Sequence, residues 1–515
     1  MMGVSQIMYF ACLTGILEVF ATFQKPLVSP SVDPGSGPSI SNAITNAPQI
    51  FNTIYGAMRQ WSSSLKHNGM TFFPVTIPEN TILYHGSISN ETIKGLEWLA
   101  FEVEHGELFT GVVPSVLGGP NTNFNLEETI HIENENLTGY LSTYQITRPL
   151  TNILYLDGLS SGKSTMGTLD TQDRVLLKDS KFKEIPGFQD LHRAMSLCDL
   201  SPNLEGFVRM ELGFEIILCE SSKGTQLISM TSRTAKWQHK RDRMDSFWMG
   251  EFARGVSLGY SGVEAGKVLI DYSSMVSAYF YPLNLTNANV EMKSLPRIPS
   301  EDLEGVEKLR SDILGKFDGR ERVQGKIDWQ SITDSIVSRY SERLAFMRSI
   351  KSSRMEMLLE TNFLLERFID HTTQNLTAAH ELCKSEYVLR VKPRPSGFTE
   401  EMIYEAITAV SGKICDVLLK ARKELMERED QNVAHDVKIM IQELMNWLDW
   451  STWLECGKCD SNEVCVVAIW PWGTKEDHDN PRCIDLYESW GRAGYWDLDY
   501  EIPKSPSLVR NEKNY

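Results

Sequence analysis

Residues 81–109 read TILYHGSISNETIKGLEWLAFEVEHGELF, and the fold is decided in this stretch. A β-rich run ends in Tyr84-His85-Gly86-Ser87, and a second strand, EWLAF, follows after a short loop. The next residues, EVEHGELF, have a helix-like composition. Short β-rich runs bounded by turn residues are typical of strands. The order of strand, loop, strand and helix therefore predicts an α+β domain.

The alternation of β-rich runs and turns extends outward from this stretch, over residues 71–295, and it is typical of an α+β or a mostly β segment. After Pro296 the apolar residues recur at intervals of three and four, which is typical of one face of a helix. The first such stripe comprises Ile336, Tyr340, Leu344, Met347, Met355, Leu358 and Leu359. A second helix is expected to begin at Thr399, a residue suited to an N-cap. We predict the α+β fold class, with an α+β domain over residues 71–295, a helical bundle over 300–455 and a Cys-rich tail over 456–515.

The first 21 residues have the pattern of a signal peptide. Residues 7–17 form an apolar core of suitable length, and Val19-Phe20-Ala21 offers a small-residue cleavage site. The segment before this core lacks Lys and Arg, so a buried N-terminal helix is the alternative interpretation. We predict a signal peptide over residues 1–21, a linker and N-terminal segment over 22–70, and secretion of the protein.

Two further features agree with secretion. Nine cysteines minus Cys12 of the signal peptide leave an even number, as a disulfide-bonded protein requires. Four N-x-[ST] sequons predict a glycoprotein. They lie at Asn90, Asn136, Asn284 and Asn375.

The composition limits the partners of this chain. Of its 515 residues, 23% are charged, and the formal net charge is −17. Because phosphate backbones prefer basic surfaces, we expect no nucleic-acid partner. No run of about 20 uncharged apolar residues follows the N-terminus, so we expect no stable membrane span after signal cleavage.

The eight remaining cysteines are disulfide candidates, and they are Cys198, Cys219, Cys383, Cys415, Cys456, Cys459, Cys465 and Cys483. The four in the tail also match the number of ligands that zinc requires, but they lack the second C-x-x-C of a zinc ribbon. Disulfides are favoured in an oxidising compartment, and we expect no metal. Cys198 with Cys219 and Cys383 with Cys415 are candidate pairs. The tail allows Cys456–Cys465 with Cys459–Cys483, and the connectivity stays open.

Residues 152–167, NILYLDGLSSGKSTMG, resemble a nucleotide-binding P-loop because they include Gly162-Lys163-Ser164. A P-loop needs its first glycine at position 157, where Asp157 would oppose phosphate oxygens. The continuation TMGTLDTQD is also a poor opening for a phosphate-binding helix. We therefore interpret NILYLD as an internal strand, and the Gly/Ser stretch as the turn that leaves it.

The order of motifs over residues 81–220 resembles the ADP-ribosyltransferase-like fold. In that fold a strand with an [HR]-G-[ST] motif leads to a short strand and a helix, and a late strand carries a glutamate among apolar residues. The matching motifs here are YHGS at 84–87, EGF at 205–207 and FEIIL at 214–218. The EGF turn departs from the G-[YF]-D-G pattern of the family.

This resemblance implies NAD as cofactor, and ADP-ribosyl transfer or NAD hydrolysis as the activity. His85 would hold the ribose hydroxyls, and either Tyr140 or Tyr144 would stack on the nicotinamide. Glu215 would stabilise the oxocarbenium-like centre as the glycosidic bond breaks. The cofactor-binding residues that the resemblance implies are Tyr84, Gly86 and Ser87.

Other interpretations of these residues stay open. His85 at a strand end also fits a hydrogen-bonded structural histidine. By strand alternation Glu211, Gly213 and Glu215 face the same way. Glu211 competes with Glu215 for the catalytic role that the resemblance implies. Two carboxylates on one face also fit an acid/base pair, or simply a solvated face.

The whole chain also resembles a group of secreted fungal proteins. The blocks that carry this resemblance are YHG followed by EWLAFEVEH, LYLDGLSSGKSTMGTLDTQD, and VCVVAIWPWGTKEDHDNPRC. Three functional hypotheses result: an NAD-consuming enzyme, a non-catalytic secreted binding or structural protein, and an accessory protein of a fungal secondary-metabolite pathway.

Overall fold

The computed structural model describes residues 35, 37–66, 69–110, 138–159, 169–178, 190–211, 213–234, 252–263, 266–287, 295–298, 303–319, 325–391, 397–466 and 475–485. The strands are β1 (Thr71–Ile77), β2 (Ile82–Ser87), β3 (Glu97–Ala100), β4 (Thr138–Ile146), β5 (Leu150–Leu159), β6 (Gly206–Glu211), β7 (Gly213–Leu218), β8 (Thr225–Thr234), β9 (Leu269–Ile270), β10 (Val276–Ser277), β11 (Glu463–Cys465) and β12 (Cys483–Asp485).

Helices precede, interrupt and follow these strands. They are α1 (Ile40–Thr45), α2 (Ala47–Gly56), α3 (Gln60–Lys66), α4 (Val103–Glu107), α5 (Leu169–Leu177), α6 (Asp190–Cys198), α7 (Leu303–Leu314), α8 (Trp329–Arg348), α9 (Arg354–Leu365), α10 (Leu376–Ser385), α11 (Phe398–Glu427), α12 (Val433–Leu448) and α13 (Lys475–Asp479). Residues 252–257 form a further short helical segment.

A large mixed sheet forms the centre of the α+β part. Its strand order is β10-β1-β5-β6-β7-β3-β2-β4-β8, and β9 also pairs with β1. The pairing of β5 with β6 is parallel, and the other neighbours along this order are antiparallel. The α+β class, the helical C-terminal region and the disulfide-rich tail are therefore confirmed.

The stretch GFVRMELGFEIIL, residues 206–218, forms a hairpin, β6–β7. Glu211 pairs directly with Gly213, so the chain reverses at this point. Gly213 has φ +93°, a left-handed conformation that side chains with a Cβ rarely adopt. In the paired register Arg209 lies opposite Glu215, so both side chains emerge on one face of the sheet.

Helix α4 crosses β2 at very short range. A Cβ on Gly86 would overlap the carbonyl oxygen of Gly106, and would lie 2.9 Å from the Thr110 amide nitrogen. A Cβ on Gly106 would lie 2.9 Å from the Cβ of Tyr84. Glycine at both positions lets the two backbones touch, which fixes the height of α4 above the sheet.

The N-terminal segment is part of the core from residue 40 onward, where the composition suggested a linker. Helices α1–α3 bury apolar side chains that include Ile50, Phe51 and Trp61, each at most 3% exposed. The Trp61 indole donates a hydrogen bond to the Ser451 carbonyl at 3.2 Å. Their buried residues belong to a core that continues through the sheet and into the helical region.

The helical region follows the predicted stripe only in part. Ile336, Tyr340 and Leu344 of α8 are buried, as expected. Met355 and Leu359 are 62% and 58% exposed, because α8 ends at Arg348 and α9 begins with a new orientation at Arg354. Helix α11 begins at Phe398 after Gly397, one residue before the expected N-cap Thr399.

Four disulfides form among the candidate cysteines. They are Cys198–Cys219, Cys383–Cys415, Cys456–Cys465 and Cys459–Cys483. The sulfur atoms of Cys456, Cys459 and Cys483 lie close together. Each of them is already bonded to another sulfur, so the tail cysteines are not available as zinc ligands.

Several sequence predictions lie outside the described residues. They concern the signal peptide 1–21, the sequon at Asn136 and the loop residues Gly162, Lys163 and Ser164. The other three sequon asparagines, Asn90, Asn284 and Asn375, are exposed. Among the described residues, no helix combines the length and apolar character needed to cross a bilayer.

The strand interpretation of NILYLD agrees with the structure, since these residues belong to β5. Asp157 on that strand is 1% exposed and therefore does not face water. The stretch TMGTLDTQD, a poor helix opening by composition, nevertheless contains the start of α5 at Leu169. Leu176, Leu177 and Val175 at the end of α5 are buried, so tertiary packing outweighs the weak helix propensity of the opening residues.

The contact of α4 with β2 generates a stability prediction. Gly86→Ala should lower the free energy of unfolding by at least about 2 kcal/mol, because the new methyl group displaces a backbone carbonyl. Gly315→Ala is the matched control, since a Cβ at Gly315 meets no atom within 4 Å. Denaturant unfolding measures both variants. Equal stability of the two would contradict the close crossing.

A second prediction concerns the Cys383–Cys415 disulfide, which joins α10 to α11 across 32 residues. Replacing both cysteines by alanine should cost about 3–4 kcal/mol, mainly through the greater entropy of the unfolded chain. The Cys456–Cys465 disulfide spans only 9 residues, so its removal should cost about 1 kcal/mol less. Non-reducing denaturant titrations compare the two double variants, and the reverse order would refute this account.

Candidate functional site

The register of the sheet separates the predicted catalytic residues into two faces. Tyr84 lies opposite Ala100, and Ala100 lies opposite Glu215, so these three side chains share one face. His85 follows Tyr84 on β2 and therefore points to the other face. The structure does not bring His85 and Glu215 into one cleft.

His85 lies among structural contacts on its own face. Its Nδ1 is 2.9 Å from the Trp98 carbonyl oxygen, and its ring meets the Tyr144 ring edge-on at 6.5 Å. The Tyr144 hydroxyl accepts a hydrogen bond from the Ile93 amide at 3.1 Å, and burial raises the pKa of this tyrosine. Tyr140 shares this face, since it pairs with Ser87. These contacts agree with the interpretation of His85 as a hydrogen-bonded structural histidine.

The predicted cofactor-binding residues are also divided between the faces. Tyr84 and Gly86 lie on the Glu215 face, where α4 covers them. Ser87 lies on the His85 face, and its hydroxyl accepts a hydrogen bond from the Ser89 amide. The resemblance implies that NAD contacts Gly86. In the structure the backbone of Gly106 occupies the space next to Gly86.

Glu215 belongs to a buried charge cluster that the sequence did not reveal. It is 3% exposed and accepts a hydrogen bond from the Nε of Arg209, which is 5% exposed. A terminal nitrogen of Arg209 lies 3.0 Å from Glu211. Burial lowers the pKa of Arg209, but the carboxylates of Glu215 and Glu211 outweigh this effect. The pKa of Arg209 is therefore raised above its ordinary value. Arg209 is therefore a fixed cation.

His105 on α4 completes this cluster. It is 2% exposed, its Nε2 lies 3.8 Å from Glu215, and its Nδ1 lies 3.9 Å from Glu102. Burial lowers the pKa of His105, but the interaction with Glu102 and the charge of Glu215 outweigh it, so the pKa is raised above 6.5. Nδ1 is buried and makes no hydrogen bond within the described residues.

Glu102 is held in place by the β6–β7 hairpin. Its two carboxylate oxygens accept from the Phe214 amide at 3.3 and 3.1 Å. The left-handed Gly213 leaves room here, because a Cβ on it would lie 2.9 Å from Glu102 and 3.2 Å from His105. Gln60 of α3 ties the hairpin to the N-terminal helices, accepting from the Gly213 amide at 3.1 Å.

The segment 252–263 lies over this cluster. The Phe252 ring is 6.0 Å from the His105 ring, and a Cβ on Gly259 would lie 3.5 Å from Glu102. The tail holds this segment, since the Tyr260 hydroxyl donates to the Cys465 carbonyl at 2.6 Å. The side chains of Glu102 and Glu211 are 13% and 21% exposed, so they are the members of the cluster that solvent reaches.

The arrangement can hold and move a proton. A protonated His105 between two carboxylates is a proton store, and Glu102 offers the path from it to solvent. Arg209 offsets the cost of burying the Glu215 carboxylate through a direct hydrogen bond. We name Glu102, His105, Arg209, Glu211 and Glu215 the acid–histidine cluster.

Sequence reasoning found Glu215 and Glu211 but missed Glu102, His105 and Arg209. The available signal was the spacing of Glu102 and His105, three residues apart at the start of a helix, which places both on one side of it. A second signal was Arg209 among the apolar residues of β6, since an arginine in a buried strand needs a carboxylate partner.

The fold and the site define a class: a mixed α+β protein with an acid–histidine cluster between a short helix and a central hairpin. A family described as the YPL277C N-terminal domain matches residues 41–123 and 118–240. This range includes all five residues of the cluster.

Two proteins of Saccharomyces cerevisiae are similar to this chain. One, described as Uncharacterized protein YOR389W, is 30% identical over 528 residues, which cover 82% of each chain. The other, Uncharacterized protein YPL277C, is 29% identical over 217 residues, or 36% of this chain and 43% of the yeast protein. The chain belongs to this fungal family.

No solved structure matches the chain. The resemblance to ADP-ribosyltransferases therefore has no support from a fold comparison.

The raised pKa of His105 predicts a pH dependence of stability. A folded-state pKa above the unfolded value means that protonated His105 stabilises the protein below about pH 6.5, and that this contribution is lost as the pH rises through the folded pKa. The charges facing His105 are those of Glu102, Glu215, Glu211 and Arg209. His105→Gln should therefore flatten the fall in unfolding free energy that occurs as the pH rises above about 6.5.

Denaturant titrations across this range measure the slope. His371→Gln is the control, because the side chain of His371 is 59% exposed and its removal should leave the slope intact. An unchanged slope in His105→Gln would contradict the raised pKa.

Proposed function

We propose that this protein is a secreted hydrolytic enzyme, with the acid–histidine cluster as its active site. The observation that carries the proposal is His105, buried between two carboxylates with an Nδ1 that makes no hydrogen bond within the described residues. A buried polar atom without a partner is costly unless a water, ion or ligand completes it.

Secretion is part of the proposal. Four disulfides are compatible with an oxidising compartment, and three exposed sequons would be accessible to glycosylation. The signal-like pattern of residues 1–21 would direct the chain there.

Glu102 is the catalytic residue of this proposal, because solvent reaches its carboxylate and it lies beside His105, whereas the other solvent-reached carboxylate, Glu211, is paired with Arg209. Protonated Glu102 would give its proton to the leaving oxygen as a carbon–oxygen bond breaks. Water would then add its hydroxyl group to the carbon and return its remaining proton to Glu102. The carboxyl group is regenerated, and the atoms balance as a simple hydrolysis.

His105 and Glu215 would act as positioning residues. The imidazolium of His105, 3.9 Å from Glu102, would be the store from which Glu102 takes the proton that it delivers, and the Arg209–Glu215 pair would fix the ring. The acidic site and the net charge of −17 favour neutral or cationic substrates over phosphorylated ones.

NAD consumption is the activity that the resemblance to ADP-ribosyltransferases implies, and it needs a different set of residues. It requires His85 and Glu215 to act on one ligand, whereas the register assigns them to opposite faces. In the acid–histidine cluster the histidine next to Glu215 is His105, and His85 is not part of the cluster. NAD therefore enters the test as a competing substrate.

Glycosylated, disulfide-bonded protein would be assayed with p-nitrophenyl glycosides, p-nitrophenyl esters and NAD. We expect turnover of at least one nitrophenyl substrate, with Glu102→Gln lowering kcat about 100-fold or more. His105→Gln should move the pH profile of kcat, which a purely structural role would not do. His85→Gln is the matched control on the opposite face and should keep its activity.

Two outcomes would overturn the proposal. One is the absence of turnover with every substrate, although the protein is folded, which favours a non-catalytic secreted protein. The other is NAD consumption that both His85→Gln and Glu215→Gln abolish while Glu102→Gln retains it, which favours ADP-ribosyl chemistry.

A further inference from the structure

Helix α9 is apolar on both of its faces. Its inner side buries Met357, Leu364 and Leu365 against the bundle. Its outer side exposes Met355, Leu359 and Phe363, at 62%, 58% and 58%. The outer residues are spaced by four, so they form one stripe along about 12 Å of the helix surface. A surface helix normally carries polar residues on this side.

Charges flank the two ends of this stripe differently. At the Phe363 end, the guanidinium groups of Arg343 and Arg339 lie 4.7 and 5.4 Å from the Phe363 ring centroid. At the Met355 end stands Glu356, an exposed carboxylate that accepts from the Ser353 amide at 2.8 Å. Arg343 is already paired with Glu360 of α9. Arg339 makes no ion pair among the described residues, so it supplies the cation at the Phe363 end, and Glu356 supplies the anion at the other end.

We propose that this stripe is the interface of a homodimer, in which α9 packs antiparallel against α9 of a second copy. A two-fold axis through Leu359 places Leu359 against its counterpart, and Met355 against the second copy's Phe363. The same operation brings Glu356 of each copy to the Arg339 and Arg343 end of the other. A self-complementary surface of this kind is what a two-fold interface requires.

The size of the stripe limits the affinity. Two facing helices of 12 residues bury less than a standard protein interface of about 1,600 Å². The exposed Phe346 and Ile350, at 40% and 92%, lie near the end of α8 and would extend the contact. We expect a dissociation constant on the order of 1–10 µM.

Sedimentation velocity of the full disulfide-bonded chain, from about 0.5 to about 100 µM, tests the proposal. We expect a monomer at the low end and a dimer at the high end. Leu359→Asp sets two carboxylates against each other on the axis and should weaken association at least about 10-fold. Leu382→Asp is the matched control, since Leu382 is a helical leucine with 53% exposure and lies outside the stripe.

A second variant covers the case in which Leu359→Asp fails to fold. Leu359→Cys should form an intermolecular disulfide under mild oxidation, because the axis brings the two new thiols together. Leu382→Cys should not form one. A wild-type chain that stays monomeric throughout the concentration range would overturn the proposal. So would binding of the monomer to phospholipid vesicles that Leu359→Asp abolishes, since the stripe would then serve a membrane surface.

Discussion

The backbone contact between α4 and β2 is the constraint on which the site depends. Gly86 and Gly106 have no Cβ, so the helix lies directly on the strand. This contact fixes the height of α4, and thereby the distance of His105 from Glu215. It also places Glu102 where the Phe214 amide can reach it, at the turn of the central hairpin. A larger residue at either glycine would lift α4 away from the charges below it.

The acid–histidine cluster is not explained by stability alone. Burying ionised groups carries a desolvation cost, and apolar residues of similar volume often stabilise a core as well or better. Arg209 offsets this cost for Glu215 and Glu211 through close contacts. His105 has no carboxylate closer than 3.8 and 3.9 Å, and its Nδ1 makes no hydrogen bond within the described residues. A group held this loosely, at full burial, is the kind that functional sites retain.

The sequence was informative where local pattern and final environment agree. The strands of the sheet and the buried stripe of α8 follow from periodicity, and Glu215 stands out among apolar neighbours. His105 could not be found in this way, because its role depends on the pairing of β7 with β3 and of β3 with β2. The same register places His85 on the opposite face from Glu215. A local motif such as YHGS does not contain this information, because it depends on how distant strands pair. Helices α1–α3 were hidden for another reason, since packing against the sheet outweighs their polar and Pro-containing composition.

The tail connects the covalent framework of the protein to the cluster. The disulfides Cys456–Cys465 and Cys459–Cys483 hold the short β11–β12 pair together. That pair contacts the segment 252–263 through the hydrogen bond of Tyr260 to Cys465 and through packing of Val464 on Ala253. Phe252, next to Ala253, lies against His105. An unbroken series of contacts therefore runs from the tail disulfides to the imidazole. Because a reduced tail would lose the cross-links that order this cover, reduction should loosen the packing of Phe252 on His105, so the tail disulfides and the cluster are structurally coupled.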